Sequence, residues 1–331
     1  MLRSALKLIV LVLLLTGCSP RLIRVEQTEP LLGTTVTITV LHEDYQKAKE
    51  AVEEAFAEIK RIETLMSTYI NTSEVSILNN KGLIKNASAD LIFVIKKSLY
   101  YSDISNGAFD ITVQPILELY RNSFFKKGMP PTGDEINKTL KLVNYRRIFV
   151  KGKTIFFSKK GMKITLGGIA KGYAIDSAIR ILKQHGISHA LVNAGGDMRA
   201  IGMKDAKKPW TIALQNPRDK KDVLAVIPLN NKAVATSGDY ERYFEPTKKF
   251  HHIVNPKTGY SATELISVTI VSSSAIDADA LATAVFVLGP EEGMKLINTL
   301  NDTEGLLITK DREIITSEGL NFNLLSKRNF Q

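Results

Sequence analysis

Thr35-Val36-Thr37-Ile38-Thr39-Val40 alternates threonine with β-branched apolar residues, and Tyr45 to Met66 then repeats Ala48, Val52, Ala55, Phe56, Ile59, Ile62 and Leu65 at helical spacing. A period of two beside a period of 3.6 makes Leu31–Leu41 a strand and the following stretch an amphipathic helix. Working outward, Asp90–Ile104 is a second amphipathic helix, closed by the turn Ser105-Asn106-Gly107, and a third runs from near Gly168 to before Gly186. Met129 to Asp134 reads as a loop, with Pro131-Thr132 leading into a short capped helix. Strands are read at His189–Asn193, Trp210–Gln215, Val223–Pro228 and Leu265–Val271, then helices over Ala278–Leu288 and from Pro290 to about Leu300. No regular βαβ repeat links them. The fold class is therefore α+β, with mixed helices and a largely antiparallel sheet in two closely packed lobes.

The start of the chain is of another kind. Arg3 and Lys7 precede an unbroken apolar run from Leu8 to Leu15, followed by Thr16-Gly17-Cys18. That is the plan of an export signal, and the run is too short for a stable membrane-spanning helix. Cys18 is the only cysteine, so no disulfide can form within the chain. The segment Leu15-Thr16-Gly17-Cys18 resembles the lipobox of bacterial lipoproteins, in which the cysteine receives a diacylglycerol and becomes the mature N-terminus. An ordinary secretory signal with an incidental cysteine is the alternative. On the lipobox reading, residues 1–17 are a signal peptide, 18–29 a polar tether and 30–331 the globular domain. The domain is then exported and lipid-anchored to a bacterial membrane, on its periplasmic or outer-surface side.

Composition excludes some partners. The 331-residue chain carries a formal net charge of +10, with 44% apolar and 24% charged residues, the last two ordinary for a globular protein. The basic residues come as scattered pairs, such as Lys126-Lys127, Arg146-Arg147 and Lys207-Lys208. Dispersed charge of this kind solvates a surface and makes no nucleic-acid footprint.

Four segments place glycine beside hydrogen-bonding groups. In the first, Lys163-Ile164-Thr165 reads as a strand leading into Leu166-Gly167-Gly168-Ile169-Ala170-Lys171-Gly172. Adjacent glycines where a strand enters a helix suit either tight helix packing or approach of an anionic ligand to the backbone. The order of residues matches neither a Walker A loop nor a dinucleotide G-x-G-x-x-G. In the second, Asp277 to Thr283, Asp279 and Thr283 share one helix face. The pair can offer two oxygens to a hard divalent cation, or Asp277 can cap the helix while Thr283 bonds back to a carbonyl. The third segment is Asn106 to Pro115. The fourth runs from Thr236 through Arg242 to His251-His252 and Gly259. Neighbouring histidines on a strand point to opposite faces; one of them in a cleft suits a general base, and a surface histidine is the alternative.

The joint order of these segments resembles the bacterial ApbE-type flavin transferases, also called FAD:protein FMN transferases. The match includes Leu32-Gly33-Thr34, Met66 to Tyr69, Ser73 to Ser76 with Leu78-Asn79, Gly107–Pro115 and Gly167–Gly172. It continues through Asn193-Ala194-Gly195-Gly196-Asp197, Thr236–Arg242, His252–Gly259 and Ala278–Thr283, and so covers essentially the whole mature chain. The resemblance implies an ApbE-like fold and Mg2+-dependent transfer of FMN from FAD to a Ser or Thr hydroxyl of a partner protein, with release of AMP. It implies metal ligation by Asp279, Thr283 and the backbone oxygen of Gly168. Flavin contacts are implied at Leu32, Tyr69, Ala108, Phe109, Asp110, Thr165, Lys171, His252 and Ile253. His252 is the candidate base, with Asp279 the other catalytic residue. The acceptor is implied to be a membrane redox subunit with a Ser/Thr flavinylation motif. FAD pyrophosphatase action and non-catalytic FAD binding are the competing functions. Two positions depart from the family's pattern: Thr165 stands where Asp is frequent, and Leu32 where Met is frequent.

Overall fold

The computed structural model describes residues 22–205, 208–245 and 249–325. Its main sheet runs in the order β1 (Ile23–Leu31), β2 (Thr34–His42), β6 (His189–Ala194), β7 (Asp197–Ile201), β10 (Ala233–Gly238), β11 (Leu265–Ser272), β12 (Glu304–Thr309), β13 (Ile314–Thr316). Every neighbouring pair is antiparallel. A second sheet, β14 (Asn323–Leu324), β9 (Asp219–Leu229) and β8 (Trp210–Asn216), shares apolar clusters with the main one: Trp210 and Ile212 meet Val234 and Val271, and Leu214 meets Ile266 and Leu306. A small sheet joins β3 (Leu83–Ile84), β5 (Thr154–Phe157) and β4 (Ile148–Lys151). The α+β expectation holds.

The helices are α1 (Tyr45–Met66), α2 (Glu74–Lys81), α3 (Ala89–Ile104), α4 (Gln114–Lys127), α5 (Gly133–Leu140), α6 (Ala170–Gln184), α7 (Ala275–Leu288) and α8 (Pro290–Asn298). α1 has the bounds its periodicity predicts, and it buries the predicted stripe except Leu65, which is half-buried. Its start is fixed by Asp44, whose side chain accepts the Lys47 amide. Thr132 and Glu135 form a reciprocal capping box at α5, as the Pro131-Thr132 pair suggests. A separate cluster of Ile116, Tyr120, Ile136 and Val254 ties α4 and α5 to the loop after the two histidines.

Three expectations are corrected. The stretch taken as tether, 18–29, is strand from Ile23, with Ile23 paired to His42 and Leu31 to Thr34. Only Val25 and Leu31 of β1 are buried, so the ladder to β2 rather than an apolar pattern defines this edge strand. Lys163–Thr165 belongs to no sheet; the Asn79 side chain accepts the Ile164 amide and donates to its carbonyl instead. Asp277 is not the cap of α7. Ser274 accepts the Asp277 amide, while the Asp176 carboxylate from α6 accepts the Ala275 and Ile276 amides. Cys18 and the apolar run before it lie outside the described residues, in which no helix is long and apolar enough to cross a membrane.

Glycine decides how close α6 and α7 come. A Cβ on Gly172 would lie 2.2 Å from the Ala275 carbonyl oxygen. Gly172→Ala must therefore push the helices apart, and urea unfolding is expected to show a loss of about 2–3 kcal/mol, the upper range for overpacking. Wild-type stability in that variant would contradict the backbone-to-backbone contact.

Candidate active site

A pocket of about 1250 Å3 opens where the β1–β2 turn, the β6–β7 turn and the end of β10 meet the N-terminal ends of α6 and α4. Every flavin- and metal-site residue expected from the sequence lines it. The turn itself is tight: Leu32 and Gly33 both have left-handed backbone, φ 57 and 68, and the Leu32 amide donates to Glu63 Oε1 at 2.8 Å. Tyr69, 74% exposed, stands at the mouth with Arg121 stacked over its ring at 5.8 Å. Phe109 is buried, its amide held by Ser105 Oγ.

Asp110 shapes this wall. One carboxylate oxygen accepts the Thr112 amide and hydroxyl, the other the Tyr145 amide, and burial nevertheless pushes its pKa up. Thr165, where the family often has Asp, accepts the Gly167 amide at 3.3 Å and turns the chain toward the glycine pair.

The oxygen-rich corner comes from α6 and α7. Asp279 is 5% exposed, and its Oδ2 accepts the Gly172 amide at 2.9 Å. One turn on, Thr283 Oγ1 lies 3.3 Å from Ser237 Oγ and only 2.8 Å from where a Gly168 Cβ would be. No side chain other than glycine fits there. Because Asp176 and Ser274 already cap α7, Asp279 is not needed for capping, and Thr283 bonds across to β10 rather than back to its own helix. Lys171 bonds to Asp197 Oδ2, while Asp197 Oδ1 accepts the Thr236 amide. Burial holds the Asp279 pKa well above the usual carboxylate range, with the Asp197 charge adding to it and Lys171 opposing. For Lys171, burial pulls the pKa down but Asp197 and Asp279 outweigh it, so the ammonium stays charged.

A carboxylate kept dry at this cost, lining the same pocket as Thr283 and Gly168, fits a hard divalent cation. Among the described residues no group of three or more His, Cys, Asp or Glu side chains forms a metal cluster. A cation here would thus take one carboxylate, one hydroxyl and one carbonyl, the sparse oxygen set that leaves room for waters and phosphate oxygens.

The two histidines part as expected, but with unequal duties. His252 lines the pocket; its Nδ1 and its backbone amide both lie 3.0–3.1 Å from the Arg242 carbonyl oxygen. A carbonyl can only accept, so Nδ1 carries the proton and Nε2 keeps a free lone pair. Burial lowers the His252 pKa to about 4, with the Arg242, His251 and Lys171 charges adding to the effect. His251 is buried on the other side: Nε2 bonds the Ala262 carbonyl at 2.8 Å, Nδ1 accepts the Ile253 amide, and the ring meets Phe286 edge-on. Asp197 and Arg242 are pocket residues to which the sequence assigns no role, although both stand in the quoted motifs; an acid directly after Gly195-Gly196 is the signal that was there to read.

The chain is similar to known proteins over most of its length. The sequence profile described as the ApbE family matches residues 32–307. A protein of Klebsiella pneumoniae named FAD:protein FMN transferase is 31% identical over 87% of this chain and 90% of its own. One of the same name from Vibrio cholerae is 31% identical over 90% and 91%. Among solved structures, the ApbE protein of Thermotoga maritima superposes with a TM-score of 0.81 at 35% identity, covering 89% of this chain and 97% of its own. The flavin transferase ApbE from Vibrio cholerae gives 0.78 at 28%, covering 89% and 97%.

The contrast between the histidines is directly measurable. His251→Ala leaves a cavity and two unpaired backbone groups, so thermal or urea unfolding should report a loss of about 2–4 kcal/mol. His252→Ala should leave stability nearly unchanged. Equal stability of the two variants would contradict the structural role of His251.

Proposed function

The chain belongs to the ApbE family, and we propose that it is an FAD:protein FMN transferase, moving FMN from FAD to a Ser or Thr hydroxyl of an acceptor protein and releasing AMP. The observation that carries this is the convergence in one pocket of Gly168, Asp279 and Thr283 with an imidazole whose Nδ1 is held by a carbonyl, which leaves Nε2 as its basic nitrogen.

In the proposed reaction the acceptor oxygen bonds to the flavin-side phosphorus, and the bond from that phosphorus to the bridging oxygen breaks. AMP leaves with the electron pair, and the acceptor proton passes to His252 Nε2. Asp279, Thr283 and the Gly168 carbonyl would hold Mg2+, which when bound supplies positive charge against the pyrophosphate. Lys171, fixed by Asp197, presents its ammonium to the phosphates. Tyr69 and Phe109 offer aromatic surface for the flavin. The bound dianion sits beside His252 and raises its pKa from the low value of the free protein.

We also propose that Cys18 is acylated after export and that the domain acts at a membrane surface, on an acceptor that is a membrane redox subunit. Cys18→Ala should abolish incorporation of labelled fatty acid while the domain still binds FAD. Unchanged labelling would defeat the lipoprotein assignment.

The decisive assay incubates the protein with FAD, Mg2+ and an acceptor carrying an Asp-Gly-Ser/Thr-Gly-Ala-Ser/Thr segment, then weighs the acceptor. An FMN adduct is expected; FMN and AMP without adduct would make the protein a pyrophosphatase. Asp279→Ala should cut transfer by orders of magnitude and Thr283→Ala less, since water can replace a neutral hydroxyl.

His252→Ala should lower the rate by about 10²–10⁴-fold with a far smaller effect on FAD affinity. The acid limb of kcat/KM, which reports the free enzyme, should lie near the His252 pKa of about 4, and that of kcat should lie higher. A common limb at the ordinary histidine value would mean that the titrating group is not buried His252.

A further inference from the structure

Among the described residues three cationic side chains line the pocket: Arg121, Lys171 and Arg242. Lys171 is neutralised by Asp197, with Asp279 close enough to raise its pKa further. Arg121 stacks over the exposed Tyr69 ring at the mouth. Arg242 differs from both. Among the described residues its guanidinium has no carboxylate, no hydrogen-bond acceptor and no ring contact, and it lies over the β1–β2 turn, 3.9 Å from where a Gly33 Cβ would be. Its field reaches both Lys171 and His252, and toward each it is unfavourable. Its carbonyl, meanwhile, orients the His252 ring. The protein thus holds an exposed forked cation at the pocket, near another cation and a neutral base, with no side-chain partner among the described residues.

We propose that Arg242 is a phosphate ligand that grips the FAD pyrophosphate through its guanidinium. This rests on FAD being the substrate. A pyrophosphate diester brings two negative charges and several non-bridging oxygens, which a planar fork of N–H donors can engage two at a time. The same residue then couples two parts of the site: the main chain sets the tautomer of the base, and the side chain places the phosphorus that the base's partner attacks. Side-chain replacement removes only the second duty, because the carbonyl that holds His252 remains.

The test compares FAD with riboflavin, which shares the isoalloxazine ring and carries no phosphate. Flavin-fluorescence titrations with Mg2+ are run on the wild type, Arg242→Gln and Arg242→Lys. Arg242→Gln should raise the FAD Kd about tenfold to a hundredfold, the range for a lost charge-assisted hydrogen bond, and leave the riboflavin Kd unchanged. Arg242→Lys should fall between, keeping the charge and losing the fork. Added salt should weaken FAD binding to the wild type more than to Arg242→Gln. The thermal midpoint of Arg242→Gln should equal or exceed the wild type's, since no partner among the described residues is lost and a repulsion with Lys171 is relieved. Unchanged FAD affinity overturns the proposal, as does an equal loss for riboflavin or a fall in midpoint with FAD affinity kept. FAD binding that depends on Arg242 without transfer to any acceptor would sink the transferase reading and leave this one standing. Transfer with FAD affinity independent of Arg242 would do the reverse.

Discussion

The contact on which the site depends is the meeting of α6 and α7 at Gly172. With no side chain there, the two helices approach to backbone distance, and the polar groups exposed by that approach are exchanged between them. Asp176 of α6 receives the first amides of α7, and Asp279 of α7 receives the Gly172 amide of α6. Buried backbone donors need partners, so these reciprocal bonds hold the helices in one relative position. Everything chemical is then one step away. Lys171 precedes Gly172 and reaches Asp197; Thr283 follows Asp279 by one turn and abuts Gly168. A shift of either helix would move the base of the pocket as a unit.

The electrostatic arrangement follows from that packing. Two carboxylates, Asp197 and Asp279, are buried against a single ammonium, and a low-dielectric setting makes the excess of charge costly. A protein optimised only for stability would place apolar side chains there. Opposite them stand Arg242 and a histidine kept neutral by burial. The pocket therefore presents an acidic corner suited to a cation and a basic wall suited to an anion, the two components of a metal–pyrophosphate complex. A strained residue lies in the same region: Leu32 takes a left-handed backbone, held by Glu63 from α1.

Much of this was legible in the chain. The period of α1, the alternation of β2, the capping signal of α5 and the small residues around Gly168 all express local geometry, and local geometry is written in neighbouring residues. The motifs likewise pointed to residues that do line one pocket. The histidine pair shows where such reading stops. Alternation along a strand separates His251 from His252, but only the positions of Ala262, Phe286 and the Arg242 carbonyl decide that one is a structural core residue and the other free to act.

By itself the sequence determined the α+β class, most of the long elements and the set of residues that gather at the pocket. The tertiary structure decided the partners. β1 is a strand because β2 offers it a ladder, not because its own residues are apolar. Asp277 turned from cap to ion-pair partner of Lys97, because α3 lies beside it. Asp197 acquired a role from Lys171, twenty-six residues earlier in the chain, and Arg242 is distinctive because no described residue pairs with it at the pocket. The physical reason is the same in each case. Hydrophobic period and turn chemistry act over a few residues, whereas desolvation and charge pairing depend on groups brought together from distant segments, and those are known only once the chain has packed.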